Sequence, residues 1–280
     1  MQPEGLFVST ENSRIHYHDV GAGIPVVLLH GGGPGVSGWE NWGGVVPELA
    51  RHYRIIVPDM PGFGRTELKP GVTLSMKLWV AELAAFLDGL DIGTAVLVGN
   101  SFGGGLSQAF TLRQGHRVRG LALMGTPAGH FTQTGTLREA TDYTPSFDNM
   151  RSVLSQFPFD PSIVTDEMVN SRLEMSKRHP DNAAFKALMP PKPAPGEPAT
   201  VRGVPLEQLA TIRQPVLMLH GREDHVVPVE MAINAARAIP DAELHLFGSC
   251  GHWVQLERAE AFTLFLKDFI DRRVADKGSR

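Results

Sequence analysis

Two kinds of hydrophobic pattern alternate along this chain. Short runs of consecutive apolar and β-branched residues have the form of buried strands: Pro25 to Leu29, Arg54 to Pro58, Thr94 to Val98, Val118 to Met124 and Pro215 to Leu219, with Glu243 to Phe247 as a last strand. Between them lie segments with helical spacing. Leu74 to Leu90 carries Leu83, Phe86, Leu87 and Leu90 on one stripe, and Phe102 to Gln114, Ala232 to Ile239 and the amphipathic Ala259 to Arg272 follow. Strand alternating with helix predicts a parallel sheet built by right-handed crossovers. At the start, Leu6 to Ser9 and Arg14 to Asp19, joined by a turn-rich link, predict an antiparallel hairpin at a sheet edge. Together these runs predict a mostly parallel eight-stranded α/β sheet flanked by helices.

The alternation stops at Gly125. From there to about Gln214 no strong strand is expected, and the composition turns polar, helical and proline-bearing. This predicts an inserted helical lid over residues 129–211, with the core domain formed by residues 1–128 and 212–280. Within the lid, Thr165 followed by Asp166 and Glu167 marks a helix start, with Met168, Arg172 and Met175 along one face. Arg172 thus interrupts an apolar face. It reads either as a snorkelling or paired arginine, or as a cation aimed at an anionic substrate under the lid. The proline-rich tract from Pro190 to Pro198 is expected to be a stiff connector back to the core.

Composition narrows the class of partner. The chain has 280 residues and a formal net charge of −4, with no basic run, which disfavours nucleic acid and anionic membranes and points to a small molecule. A single cysteine, Cys250, excludes an internal disulfide and fits a reducing compartment. Neither a leader-like opening nor an apolar run of about 20 residues is present, so a cytoplasmic protein is expected. His16 and His18 alternate along the second strand and share a face, yet no third ligand stands nearby. They are expected on the wet face of an edge strand, and neither a metal nor an organic cofactor is implied.

The chemistry centres on Gly99-Asn100-Ser101-Phe102-Gly103, at the corner between an apolar strand and a helix. Gly-x-Ser-x-Gly in that context is a nucleophile elbow, whose glycines sit where any Cβ would collide. The serine hydroxyl is then lifted clear of the sheet, and the Phe102 amide points from a helix N-terminus toward a developing oxyanion. A serine needs a base, and the base an acid. His252 and Asp224 each follow a strand end, in the order Ser, Asp, His, with Glu223 as the rival acid. Cys250 reads as a buried apolar side chain. The loop His30-Gly31-Gly32-Gly33-Pro34-Gly35 lets a ligand approach backbone amides, and Gly32 is the second oxyanion donor expected.

These stretches closely resemble the α/β-hydrolase superfamily and, within it, the meta-cleavage product hydrolases, which cleave a carbon–carbon bond in vinylogous diketones made by ring-opening of catechols. The resemblance covers almost the whole chain. It rests on His30 to Asn41, on Gly99 to Gly104, on Gly221-Arg222-Glu223-Asp224 with Val227-Pro228, and on Cys250-Gly251-His252-Trp253. It implies Ser101, Asp224 and His252 as the triad and the amides of Gly32 and Phe102 as the oxyanion hole. Gly31, Gly33, Asn41, Asn100, Arg172 and Trp253 would hold an anionic 2-hydroxy-6-oxo-hexa-2,4-dienoate. A homo-oligomer, dimer or larger, is also implied. Two alternatives stay open: an ester or lactone hydrolase using the same triad, and a hydrolase-fold binding protein without catalysis. The loop Gly125 to Gly129 is less glycine-rich, and the Pro190 to Pro198 tract longer, than the resemblance leads one to expect.

Overall fold

The structure is a computed structural model, and it describes residues 3–190, 194 and 197–275. Eight strands lie side by side: β1 (Leu6–Ser9), β2 (Ser13–Val20), β4 (Arg54–Pro58), β3 (Pro25–Leu29), β6 (Ala95–Asn100), β7 (Val118–Met124), β10 (Val216–Gly221) and β11 (Ala242–Phe247), in that spatial order. A two-residue strand, β5 (Glu67–Leu68), pairs with β2. The first two pairings, β1 with β2 and β2 with β4, are antiparallel, and the other neighbours run parallel. The expected hairpin therefore sits at the edge. From β3 the chain steps to β4 on one side, then returns to β6 on the other, so the strand order reverses between β3 and β6. A sheet reversal of this kind opens a crevice at the carboxyl ends of the strands.

Alternate residues of each central strand feed opposite layers. Val27, Leu29 and Leu97 join Trp79, Phe86 and Phe110 on one face, while Val26, Leu28, Val96 and Val98 join Trp42, Phe262 and Phe269 on the other. Both sets are fully buried, which is why these strands read as unbroken apolar runs rather than as alternating ones.

After β7 the chain leaves the sheet. Helices Gly135–Thr141, Phe147–Leu154, Asp166–Ser176 and Ala183–Leu188 follow, each of the first three begun by a Thr or Ser side chain that accepts an amide of the first turn. Their apolar sides, including Leu137, Met150, Val153, Val169 and Phe185, form a third core together with Val226, Val227 and Trp253 from loops at the sheet's carboxyl edge. The absence of strands expected here is corrected by β8 (His130–Thr132) and β9 (Thr200–Arg202), an antiparallel pair. Three residues are too few to carry a periodic signal. The expected connector from Pro190 to Pro198 lies largely outside the described residues.

A second correction concerns His16 and His18, which are buried rather than on a wet face. Trp39 and the turn after β4 cover that side of β2: His16 Nδ1 lies 2.8 Å from Asp59 Oδ2, and the His18 ring stands edge-on to Trp39 at 4.9 Å. Among the described residues no cluster of three metal-ligating side chains occurs, and no helix is long and apolar enough to cross a membrane.

Candidate active site

Ser101 adopts φ 52°, ψ −112°, a left-handed conformation costing a non-glycine residue on the order of 1–3 kcal/mol. The surroundings impose it. The Ser101 amide donates to the Met124 carbonyl at 2.8 Å, and the Ser101 carbonyl accepts from Gly105 at 3.0 Å, starting the Phe102–Gln114 helix. A Cβ on Gly99 would run into the Gly103 backbone, and one on Gly103 into the Leu29 carbonyl. The two motif glycines are thus the price of bringing strand, elbow and helix together. The Phe102 ring turns down into the core, 4.8 Å from the Trp79 ring, which leaves its amide in the helix's first turn.

His252 and Asp224 meet from separate loops. His252 Nδ1 donates to Asp224 Oδ2 at 2.8 Å, and Asp224 Oδ1 accepts the Val226 and Val227 amides at 2.8 and 2.9 Å. Burial opposes ionisation of Asp224, but the His252 interaction, His220 and the Val227 amide outweigh it and hold the carboxyl below the usual range. Glu223 is turned away, toward Arg222 and the Cys250 amide. Cys250 is fully buried, and burial, with Glu257 adding to it, pushes its thiol up to about 12.

The glycine loop after β3 is held from below. The Met60 amide donates to His30 Nε2 at 3.0 Å, so the ring proton is on Nδ1, which donates to the Gly31 carbonyl at 2.7 Å. Burial also lowers the proton affinity of His30, keeping it neutral in that tautomer. The Gly31 amide donates to Asn41 Oδ1 at 3.0 Å, and Asn100 Nδ2 reaches the His252 carbonyl at 3.3 Å. The loop after β3 is thereby tied to the Gly38–Trp42 helix, and the end of β6 to the loop after β11.

Two compartments meet here. A polar niche of about 10 Å³ is bordered by Gly31, Gly32, Gly33, Asn41, Asn100, Arg172, His252 and Trp253. Arg172 is buried, its guanidinium carbon 5.9 Å from the Trp253 ring, and Arg172 Nε and Asn41 Nδ2 have no hydrogen-bond partner among the described residues. Burial depresses the proton affinity of Arg172, with Glu40 opposing. The second compartment is an apolar chamber of about 320 Å³, lined by Ser101 and Phe102 below and by Leu137, Phe157, Phe185 and Leu188 above, and Gly32 borders both. Ten of the eleven residues singled out in the sequence border one or the other compartment, and the eleventh, Asp224, is buried behind His252.

Three neighbours of the site escaped the sequence reading. Gly125, at φ +51°, sits where a Cβ would stand 2.7 Å from His252 Nδ1 and 3.3 Å from Asp224 Oδ2. Its signal was a glycine ending an apolar strand, as at Gly31. Phe157 stacks on Trp253 with ring centroids 5.2 Å apart. His220, at the end of β10, brings Nε2 to 3.3 Å from Asp224 Oδ2.

A reversing parallel sheet with a strained serine, a histidine–aspartate pair and a helical cover defines an α/β-hydrolase. The sequence matches the alpha/beta hydrolase fold family over residues 24–259, and the chain belongs to that family. It is 44% identical to the 2-hydroxy-6-oxo-2,4-heptadienoate hydrolase of Pseudomonas putida F1, over 95% of this chain and 96% of that one. It is 40% identical to the 2-hydroxymuconate semialdehyde hydrolase of Pseudomonas sp. strain CF600, over 92% and 90%. Among solved structures, a meta-cleavage product hydrolase from Pseudomonas fluorescens IP01, complexed with acetates, superposes with a TM-score of 0.85 at 39% identity, over 92% and 94%.

Proposed function

We propose that this chain hydrolyses a carbon–carbon bond in 2-hydroxy-6-oxo-hexa-2,4-dienoate type meta-cleavage products of aromatic degradation. The observation that carries this reading is the junction of the polar niche and the apolar chamber at Gly32, beside Ser101. A dienoate has a carboxylate and 2-oxygen at one end and an acyl substituent at the other. The niche offers the buried cation of Arg172 and the amide of Asn41 to the anionic end, and the chamber offers an apolar wall to the substituent.

A carbon leaving group departs only as a stabilised carbanion, so the dienol is first converted to its keto form. His252 takes the proton from the 2-hydroxyl and returns it to carbon 5 of the conjugated chain, which leaves the imidazole neutral again. Ser101 then adds to the 6-carbonyl as His252 accepts its hydroxyl proton, and the Gly32 and Phe102 amides carry the oxyanion. As the intermediate collapses, His252 hands the serine proton to the departing carbanion, which leaves as the dienoate fragment; the remaining acyl-enzyme is released as a carboxylic acid by water that the again neutral His252 deprotonates. Asp224 holds the His252 ring and balances its positive charge. Residues 129–211 act as the lid that closes over the substrate.

Stopped-flow absorbance with a yellow 2-hydroxy-6-oxo-hexa-2,4-dienoate, beside a p-nitrophenyl ester and a Ser101→Ala control, tests this reading. Rapid loss of the dienolate colour, with Ser101→Ala binding but not cleaving, supports carbon–carbon hydrolysis. Turnover of the ester alone transfers the function to ester hydrolysis.

A further inference from the structure

His220 is almost completely buried at the end of β10, behind the histidine–aspartate pair. Its Nε2 lies 3.0 Å from the Val227 carbonyl, and a carbonyl only accepts, so this nitrogen bears the proton. The same nitrogen stands 3.3 Å from Asp224 Oδ2, the oxygen that also receives His252. Asp224 Oδ2 thus accepts from His252 and lies beside the N–H that His220 donates to Val227, while Oδ1 takes two backbone amides. Burial lowers the proton affinity of His220, with Asp224 and the Val227 carbonyl opposing, so it serves as a neutral donor.

The other ring nitrogen opens on a second feature. Among the buried atoms without a hydrogen-bond partner in the described residues are His220 Nδ1 and both amide atoms of Gln108, on the Phe102–Gln114 helix. His220, Gln108 and Thr126 line one enclosed pocket of about 10 Å³, otherwise walled by Leu123, Met218 and Ala232. A volume of this size with several polar partners fits one water. Such a water would accept from Gln108 Nε2 and donate to His220 Nδ1.

We propose that His220 is a positioning residue for Asp224, its Nε2–H anchored on the Val227 carbonyl so that the positive end of that bond dipole sits beside the carboxylate, while a buried water links its Nδ1 to Gln108. The proposal rests on the assignment of Ser101, His252 and Asp224 made above. An N–H facing Asp224 weakens the basicity of that carboxylate and so moderates how strongly it holds a proton on His252. The other groups facing the pair are few. Glu230, on the Val229–Ala238 helix, bears on His220, Cys250 lies near Asp224, and His252 shares its niche with Arg172 and is bordered as well by the Phe157 ring and Gly125.

The test is the pH dependence of kcat/KM for wild type, His220→Leu, His220→Gln and Gln108→Leu, with a dienoate and with p-nitrophenyl acetate. In His220→Leu the acid limb moves to higher pH by about half a unit, and kcat falls on the order of tenfold with KM nearly unchanged. His220→Gln, which keeps an N–H at the same reach, returns the limb toward wild type, and Gln108→Leu moves it in the direction of His220→Leu. A limb that stays in place while the rate drops at every pH reduces His220 to a packing role and overturns the proposal. If His220→Leu does not fold, a stationary limb in Gln108→Leu overturns it equally. Wild-type turnover of the ester alone removes the carbon–carbon reading, and the limb is then read on the ester by the same criterion. Wild-type inactivity on both substrates overturns the proposal together with the assignment beneath it.

Discussion

The backbone amide of His252 donates to the carbonyl of Phe157 at 2.8 Å, so the loop carrying His252 hangs from the helical insertion. Gly251 permits this approach, since a Cβ there would meet the Phe157 carbonyl and the Phe159 amide. The insertion is therefore part of the machinery that holds His252. Phe157 adds its ring to the contact, stacked on Trp253 and 5.7 Å from the His252 ring.

Phe157→Ala removes that ring from a buried cluster and is expected to cost about 3 kcal/mol. The melting temperature, followed by scanning fluorimetry, falls by roughly 5–10 °C. KM for the dienoate rises, because the ring also lines both compartments.

Gly125→Ala places a methyl group against His252 and Asp224 at a backbone angle that favours glycine. The cost to folding is about 1–2 kcal/mol, whereas displacing the base by a fraction of an ångström lowers kcat on the order of a hundredfold. Circular dichroism and steady-state kinetics on one preparation separate the two effects. A variant with nearly full kcat would show that the base tolerates displacement.

Arg172→Ala leaves the anionic end of the substrate without its buried cation. A charged hydrogen bond is worth about 1.5–3 kcal/mol, so kcat/KM for the dienoate falls roughly ten- to a hundredfold. The p-nitrophenyl ester, which has no carboxylate, changes by about twofold at most. Equal losses on both substrates would assign Arg172 a structural role.

Asp59 predicts an acid flank in stability. Burial opposes its ionisation, but His16, the Arg65 amide, His30 and the Gly38 amide hold its carboxyl below the usual range. A depressed folded value means stability that is present above the unfolded value of about 4 and lost as pH falls through the lower folded one. Urea midpoints measured from pH 7 down to about 3 decline for wild type. Asp59→Asn starts lower at neutral pH and declines less, and the two converge in acid.

Cys250 is buried and its thiol is pushed up to about 12, so a thiol reagent at neutral pH leaves the native protein unlabelled. Labelling to one equivalent appears only after denaturation. Rapid native labelling would mean that the β11 end opens.

The sheet and the elbow were legible because their constraints are local. Strands buried on both faces must be continuously apolar, as Val26 to Leu29 and Val96 to Val98 are, and the turn at Ser101 excludes side chains at Gly99 and Gly103. His16 and His18 misled because what buries them comes from elsewhere in the chain, from Asp59, Thr66 and Trp39. That the Asp224 carboxyl and not that of Glu223 lies against His252 goes with the backbone amides two and three residues on that hold it, which spacing alone does not reveal. The chamber was invisible for a further reason: its walls are assembled from Phe131, Phe157, Phe185 and Val201, far apart in sequence and brought together only when the insertion folds.

Gly35 gives that assembly a particular seam. At φ +64° it lies directly under the Arg172 carbonyl, where any side chain would collide with the Asp166–Ser176 helix. The Arg172 helix and the glycine loop after β3 are consequently registered to each other by backbone contact, independent of what fills the chamber. One end of the crevice is thus shaped by main chain, whereas the other takes its shape from side chains that separate segments bring together.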